Sequence, residues 1–165
     1  PGKGQRDAIQ AVKMLKTEGY PVDLSICGTG DFSLIDALLS KETSSYIHLL
    51  GFCENLAEVR KGMDVALICS RMEAFGRVTV EALYYKNYVI GANTGCTKTL
   101  IKENENGSLY TWGDYHQLAL KIKDIINNHN EIDSLLDRTS AEAIAAYSGN
   151  ICDKIYAIYD LVDKK

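Results

Sequence analysis

Proline is nearly missing from this chain, with two in 165 residues against 13 glycines. That ratio suits an α/β protein with glycine at its strand-to-helix turns. Cysteine pairs of the CxxC kind are missing too. The five cysteines, Cys27, Cys53, Cys69, Cys96 and Cys152, are odd in number and scattered. Reduced thiols of a cytosolic protein are therefore expected rather than a disulfide framework. His48, His116 and His129 have no metal-ligand spacing to one another or to the cysteines, which argues against zinc. Positive charge is not in excess. The net charge of -4 argues against a broad nucleic-acid-binding face but leaves room for one small anion pocket. No apolar run approaches the ~20 residues of a membrane span, and the first residues carry no signal-peptide pattern.

What is present is a soluble, globular composition, 46% hydrophobic and 24% charged, at a length that suits one domain with a substantial core. The opening PGKGQRDAIQ enters a helix at once, as if cut inside a larger protein. Helical spacing over 5–18 (Ala8, Ile9, Val12, Leu15) is followed by a β-rich run, 20–28, ending in glycine. Helix is expected over 31–41, with Asp31 as N-cap. Strand follows over 46–51, then a short helix over 54–62. DVALICS (64–70) is the strongest strand, apolar on both faces as a central parallel strand should be. Helix from Gly76 to Tyr85 and strand over 87–93 complete the clear alternation. Beyond it come a turn at KENENG (102–107), a short strand over 107–112, an amphipathic helix over 114–128 and further helix over 131–163. Alternation at this spacing gives parallel strands joined by right-handed crossovers, with helices on both faces. Ligands bind such sheets beyond the carboxyl ends of the strands, where strand order reverses.

Three motifs fall on that edge. GTGD (28–31) resembles the start of a dinucleotide fingerprint, but Ser33 stands where the third glycine belongs and 46–52 holds no acidic residue. A tight turn is the favoured reading, with Gly28 leaving its backbone open to a ligand. PGKG (1–4) lacks the spacing of a phosphate-binding P-loop, so Lys3 reads as a surface lysine unless it lies near the pocket. RMEAFGRVTVEAL (71–83) is the most specific. Glu73 is expected in the loop after the central strand, and Gly76 is expected to permit close backbone approach. The amides of Gly76, Arg77 and Val78 would face an anion at the helix start. Glu81 falls about one turn further on. Carboxylates so placed suit sugar hydroxyls. A capping Glu73 and a surface Glu81 fit the pattern equally well.

EAFGRVTVEAL resembles the E-x7-E signature of retaining GT-B glycosyltransferases, the glycosyl transferases group 1 or family 4 type. The resemblance runs along essentially the whole chain, in order. KGQRDAIQAVKML is similar to that family's first helix and LSICGTGD to its second strand and glycine turn. YIHLLGFCENLAEVRKGMDVALICS resembles the glycine loop, short helix and central strand. YVIGANTGCTKTLI resembles the strand carrying a Gly-Gly loop, and YSGNICDKIYAIYDLV the closing helix, 149–165. Gly95-Cys96 stands in place of the Gly-Gly pair, and Thr99 replaces the usual glutamate.

The resemblance implies a Rossmann-like α/β domain over 1–165, the C-terminal half of a GT-B fold with strand order 3-2-1-4-5-6. Its first strand, the arginine that usually precedes the first helix in that family and an N-terminal acceptor-binding domain would lie upstream of Pro1. The implied reaction transfers a sugar from a nucleoside-diphosphate sugar to an acceptor hydroxyl of a glycan or lipid, with retention. Polysaccharide or glycolipid synthesis is the frequent setting. Glu73 and Lys3 would carry the catalytic roles, Glu73 holding sugar hydroxyls and Lys3 pairing with the diphosphate. Ala74, Phe75 and Gly76 would present amides to the sugar, and Arg77 and Val78 to the diphosphate. Glu81 would bind the ribose, with Phe52 and Cys53 bordering the base. No metal or other cofactor is implied, nor nucleic acid. The implied location is cytoplasmic, free or peripheral at the inner face of the membrane. The isolated chain is expected to bind donor weakly and transfer nothing. A nucleotide-sugar epimerase or hydrolase of the same architecture, and a non-catalytic Rossmann-like regulatory domain, are the competing readings.

Overall fold

The computed structural model describes residues 2–129, 132 and 135–137. The expected helix over 131–163 and the closing helix 149–165 fall almost wholly outside the described residues.

The chain alternates from the start. Helix α1 (Gln5–Thr17) buries Ala8, Ile9, Val12 and Leu15 on one face, and Gly19 at φ 86° turns the chain out of it. Each fully buried aliphatic side chain on that face contributes about 1.5–3 kcal/mol. Strand β1 (Leu24–Cys27) follows, then a single helical turn α2 (Ser33–Asp36), a 3-10 turn at Thr43–Ser45 and strand β2 (Ile47–Gly51). Next come α3 (Leu56–Lys61), β3 (Val65–Ile68), α4 (Arg77–Tyr84), β4 (Tyr88–Ala92), α5 (Thr97–Leu100), β5 (Gly107–Tyr110) and α6 (Tyr115–Asn127). The Asp114 carboxylate caps α6 by accepting from the Gln117 amide at 2.9 Å.

All strand pairs are parallel. β1 pairs with β2 from Leu24↔Ile47 onward. β4 lies between β3 and β5, with Val65↔Tyr88 and Val89↔Gly107 opening the two registers. Helices cover both faces, as the alternation along β4 shows. Tyr88, Ile90 and Ala92 join the core formed by α1 and α6. Val89 faces the other way, to Ile68, Ala82, Leu83 and Ile101.

Among the described residues the strands form two sheets, β1-β2 and β3-β4-β5. These two groups are the flanks of the order 3-2-1-4-5-6, as expected when its first strand is missing. β1 and β3 border a cavity of about 1930 Å³, lined by Leu24, Ile26, Val65, Leu67, Ala8 and Val12. One expectation is corrected here, the identity of the central strand. β3 is an edge of its sheet, and it is β4 that is buried at all five positions. Apolarity on both faces marks either strand, so composition alone does not rank them.

The expected helix over 31–41 reduces to one turn. Asp31 is not its N-cap, a position that Phe32 holds without any side-chain cap; the Asp31 carboxylate accepts from the Ser33 amide at 2.9 Å in the turn just before the helix. Downstream, the Thr43 hydroxyl accepts from the Ser40 amide at 2.7 Å and donates to the Ser40 carbonyl at 2.9 Å. These side-chain bonds compete with helix continuation.

Candidate functional site

The carboxyl ends of β1, β2, β3 and β4 open on the same edge of the molecule, and the loops that follow them build the site. The segment before α1 is fastened there first. The Gly2 carbonyl accepts from the Arg71 amide at 2.8 Å. Gly4, at φ 70°, presses so closely on the Cys69 backbone that a Cβ would collide with its carbonyl oxygen. This fastening carries Lys3 to the loop after β3, where its ammonium pairs with Glu73 Oε1 at 2.8 Å. Lys3 is 67% exposed and Glu73 only 16%. The expected convergence of these two residues is therefore observed. The Lys3 ammonium holds the Glu73 carboxyl below its ordinary value, with the Ser70 hydroxyl adding to the effect and partial burial opposing it.

Glu73 lies in the loop, as its position before the helix predicted. Its backbone is gripped by the loop after β4: the Cys96 amide donates to the Glu73 carbonyl at 3.0 Å, and Gly95 packs flat against it. Ala74 and Phe75 stand outward, Phe75 at 85% exposure. Gly76 is the N-cap of α4 at φ 62°, and no side chain caps the helix there. The amides of Arg77 and Val78 therefore belong to the unsatisfied first turn, which favours negative charge. At Gly76 a Cβ would collide with Leu100 and stand 3.0 Å from the Cys96 sulfur. Its glycine is required by left-handed backbone and by packing under α5.

Glu81 stands on the side of α4, half-exposed, and its Oε2 accepts from Arg60 Nη2 at 2.8 Å. Phe52 is exposed just past β2. Cys53 is half-buried, and its thiol points to the Gly51 carbonyl at 3.7 Å. Cys27, across the β1–β2 pair, has its pKa pushed up to about 11, by burial first and then by Cys53 beside it. Gly28, at φ 133°, has nothing within 4 Å of a would-be Cβ, so its backbone is open as expected.

Lys3, Gly28, Glu73 and Val78 line the mouth of the same cavity that runs between β1 and β3. Glu81, Phe52 and Cys53 lie beside it. Arg60 lines it and joins Glu81 to it. The cavity as a whole extends down into the core, so the ligand-facing part is its mouth at the strand ends. Sequence reading missed Arg60, because a last-turn arginine on a short helix reads as a surface charge. It placed Gly95 in the loop that stands for the Gly-Gly pair but not against the Glu73 backbone.

Among the described residues no helix is long and apolar enough to cross a membrane. The four described cysteines are free thiols.

Three likenesses bear on identity. The chain is 27% identical over 137 residues to the capsular polysaccharide biosynthesis glycosyltransferase CapM of Staphylococcus aureus, covering 78% of this chain and 34% of that protein. Its fold superposes on Anabaena HepE in complex with UDP at a TM-score of 0.83, with 23% identity, over 100% of this chain and 46% of that one. A glycosyltransferase from Rickettsia africae gives a TM-score of 0.86 at 22% identity, again over 100% of this chain and 46% of that one. The chain thus spans about a third of CapM, and less than half of both solved structures. The fold is the Rossmann-like α/β arrangement of GT-B glycosyltransferases. The profile of the family described as glycosyl transferases group 1 matches residues 1–145, and this chain belongs to that family.

Proposed function

We propose that this chain is the donor-binding half of a retaining glycosyltransferase, which moves a sugar from a nucleoside-diphosphate sugar to an acceptor hydroxyl. The observation that carries the reading is the Lys3–Glu73 pair set beside the uncapped start of α4. An ammonium and a row of unsatisfied amides converge where a diphosphate would sit, and a carboxylate stands next to them to take sugar hydroxyls. Family membership and the UDP bound by HepE, a protein of the same fold, support a nucleotide sugar as the ligand.

In this mechanism the bond between the anomeric carbon and the diphosphate oxygen breaks, the acceptor oxygen bonds to that carbon, and its proton passes to the departing diphosphate oxygen. Negative charge grows on the departing diphosphate. Lys3 and the α4 amides stabilise that charge more strongly in the transition state than in the ground state, which accelerates the step. Lys3 has three N–H donors, so it can keep Glu73 while engaging phosphate. Glu73 orients the sugar; Ala74, Phe75 and Gly76 border it. Glu81 takes the ribose hydroxyls, and Phe52 and Cys53 edge the base. The positive field comes from the protein, so transfer proceeds without a metal ion.

A further parallel strand seated between β1 and β3, and an acceptor-binding domain contributed by the same protein, complete the enzyme. The cavity between those two strand edges and the share of CapM that the chain spans support this. A role in polysaccharide assembly fits the likeness to CapM; a cytoplasmic setting and a glycolipid product are proposed beside it.

Calorimetric titration with UDP, GDP, ADP and their sugar conjugates tests donor binding. Silence across the panel from folded protein overturns the proposal. Glu81→Ala should weaken the free nucleoside diphosphate, whereas Glu73→Ala should weaken the sugar conjugate and spare the free nucleotide. Equal losses would refute the division of roles. Product analysis with the protein carrying this chain, with and without EDTA, separates transfer from epimerisation or hydrolysis and tests metal independence.

A further inference from the structure

Arg60 has no part in the reaction just described, yet its side chain is only 10% exposed and is spent on Glu81. Its backbone is equally fixed. The Asn87 side-chain amide, itself buried, donates to the Arg60 carbonyl at 2.8 Å and to the Met63 carbonyl at 2.6 Å. This fastens the end of α3 to the start of β4. At the other end of α3 the Asn55 side chain accepts from the Glu58 amide. The guanidinium therefore projects from a pinned helix and lines the cavity that Lys3 and Glu73 also line.

As a fold-stabilising tie this pair is a poor device. A nearly buried cation bears a desolvation cost, and its partner, 49% exposed, repays little of it in a solvent-screened pair. The Asn87 bonds already hold α3 to the sheet. What the pair does accomplish is geometric. A half-exposed glutamate on a helix face has several rotamers open to it. The guanidinium bond to one carboxylate oxygen, Nη2 to Oε2, restricts that choice and leaves Oε1 for a ligand hydroxyl. It also cancels a negative charge that would otherwise oppose an approaching diphosphate.

We propose that Arg60 is the positioning residue for Glu81, holding that carboxylate in the one orientation that reads a ribose diol. The inference rests on the reading of Glu81 as the ribose-binding group. It makes discrimination between ribo- and deoxyribonucleotides depend on a residue that touches no nucleotide atom.

The test uses the protein carrying this chain and whichever of UDP, GDP and ADP it binds tightest, with the 2′-deoxy and 3′-deoxy analogues of that nucleotide. The ratio of deoxy to ribo dissociation constants is the readout. A hydroxyl bonded to a carboxylate gives the unaltered protein a ratio of about tenfold. Glu81→Gln should bring it to within about twofold of unity, Arg60→Met should do the same, and the double variant should lose nothing more. Arg60→Lys keeps the charge without the fork and should also lower the ratio; it serves as the readout should Arg60→Met fail to fold. If Arg60→Met or Arg60→Lys weakens both nucleotides equally and leaves the ratio at its unaltered value, Arg60 is structural only and the inference is overturned while the ribose reading stands. If Glu81→Gln itself leaves the ratio unchanged, or no nucleotide binds, the ribose reading fails and this inference with it.

Discussion

Gly95 and Glu73 meet backbone to backbone: a Cβ placed on Gly95 would stand 2.8 Å from both the amide nitrogen and the carbonyl oxygen of Glu73. The loop after β4 is therefore the mould in which the loop after β3 is cast. Gly95 also sits at φ 52°, where a side chain is strained. Gly95→Ala is expected to lower unfolding stability by about 1–3 kcal/mol and to displace Glu73 from Lys3. Urea denaturation measures the first effect and donor titration the second. A variant with unaltered midpoint and donor affinity would show that the two loops are not coupled.

Asp7 is buried within α1, and its Oδ2 accepts from the Tyr110 hydroxyl at 3.0 Å and from the Gly113 amide at 2.9 Å. One carboxylate thus ties the first helix to the end of β5 and to the turn that enters α6. Asp7→Ala strands the buried Tyr110 hydroxyl, while the Gly113 amide, on an exposed residue, is returned to water; the change should cost about 1–3 kcal/mol. Asp7→Asn keeps an acceptor oxygen and should cost less. The order of the two denaturation midpoints is the decisive reading, and an alanine variant as stable as the asparagine one would contradict it.

The pH dependence follows from Glu73. Its folded pKa lies below the ordinary 4.5, chiefly through Lys3. A group depressed on folding adds stability above its unfolded pKa, and that stability is lost as pH falls through the folded pKa. Lys3 is largely exposed, so the contribution is at most about 1 kcal/mol. Lys3→Met should raise the Glu73 pKa toward its ordinary value in a ¹³C carboxyl titration. The stability gap between the unaltered protein and Lys3→Met should close on acidification below pH 4. A gap that widened there would reverse the sign of the argument.

The cysteines should be less reactive than their exposure alone implies. Burial pushes the Cys69 thiol up to about 12, while Cys27 is exposed but held at about 11. Alkylation needs the thiolate. Iodoacetamide at pH 8 should leave Cys69 unmodified in the folded state and label Cys27 more than about tenfold slower than a free cysteine. Peptide mass spectrometry reads both sites, and rapid labelling of Cys27 would count against a thiol held up by burial and by Cys53.

Much of this molecule is written locally. The strand expected over 87–93 is β4, Tyr88–Ala92, and the run over 46–51 is β2, Ile47–Gly51. KENENG is a turn, with Asn104 at φ 61°. The Glu73 loop, the Gly76 helix start and the Glu81 helix position are all readable from thirteen consecutive letters, because glycine placement and 3.6-residue periodicity are local properties. Reading failed where polar side chains competed with the backbone, as Ser40 and Thr43 do in cutting short the helix after β1. It also misplaced the central strand, because an apolar run records burial and not neighbours.

By itself, then, the sequence determined the alternation of strand and helix, the edge on which the loops collect, and the pairing of acids with an uncapped helix start. Only the tertiary structure decided which groups meet there. Arg60 reaches Glu81 across 21 residues, and Gly95 shapes a loop that belongs to another strand; the meeting of Lys3 with Glu73 across 70 residues is expected through the family resemblance and not from any local pattern. Such meetings are set by strand order and by the close packing of crossover loops. Both are properties of the folded whole, and they leave no periodic trace along the chain.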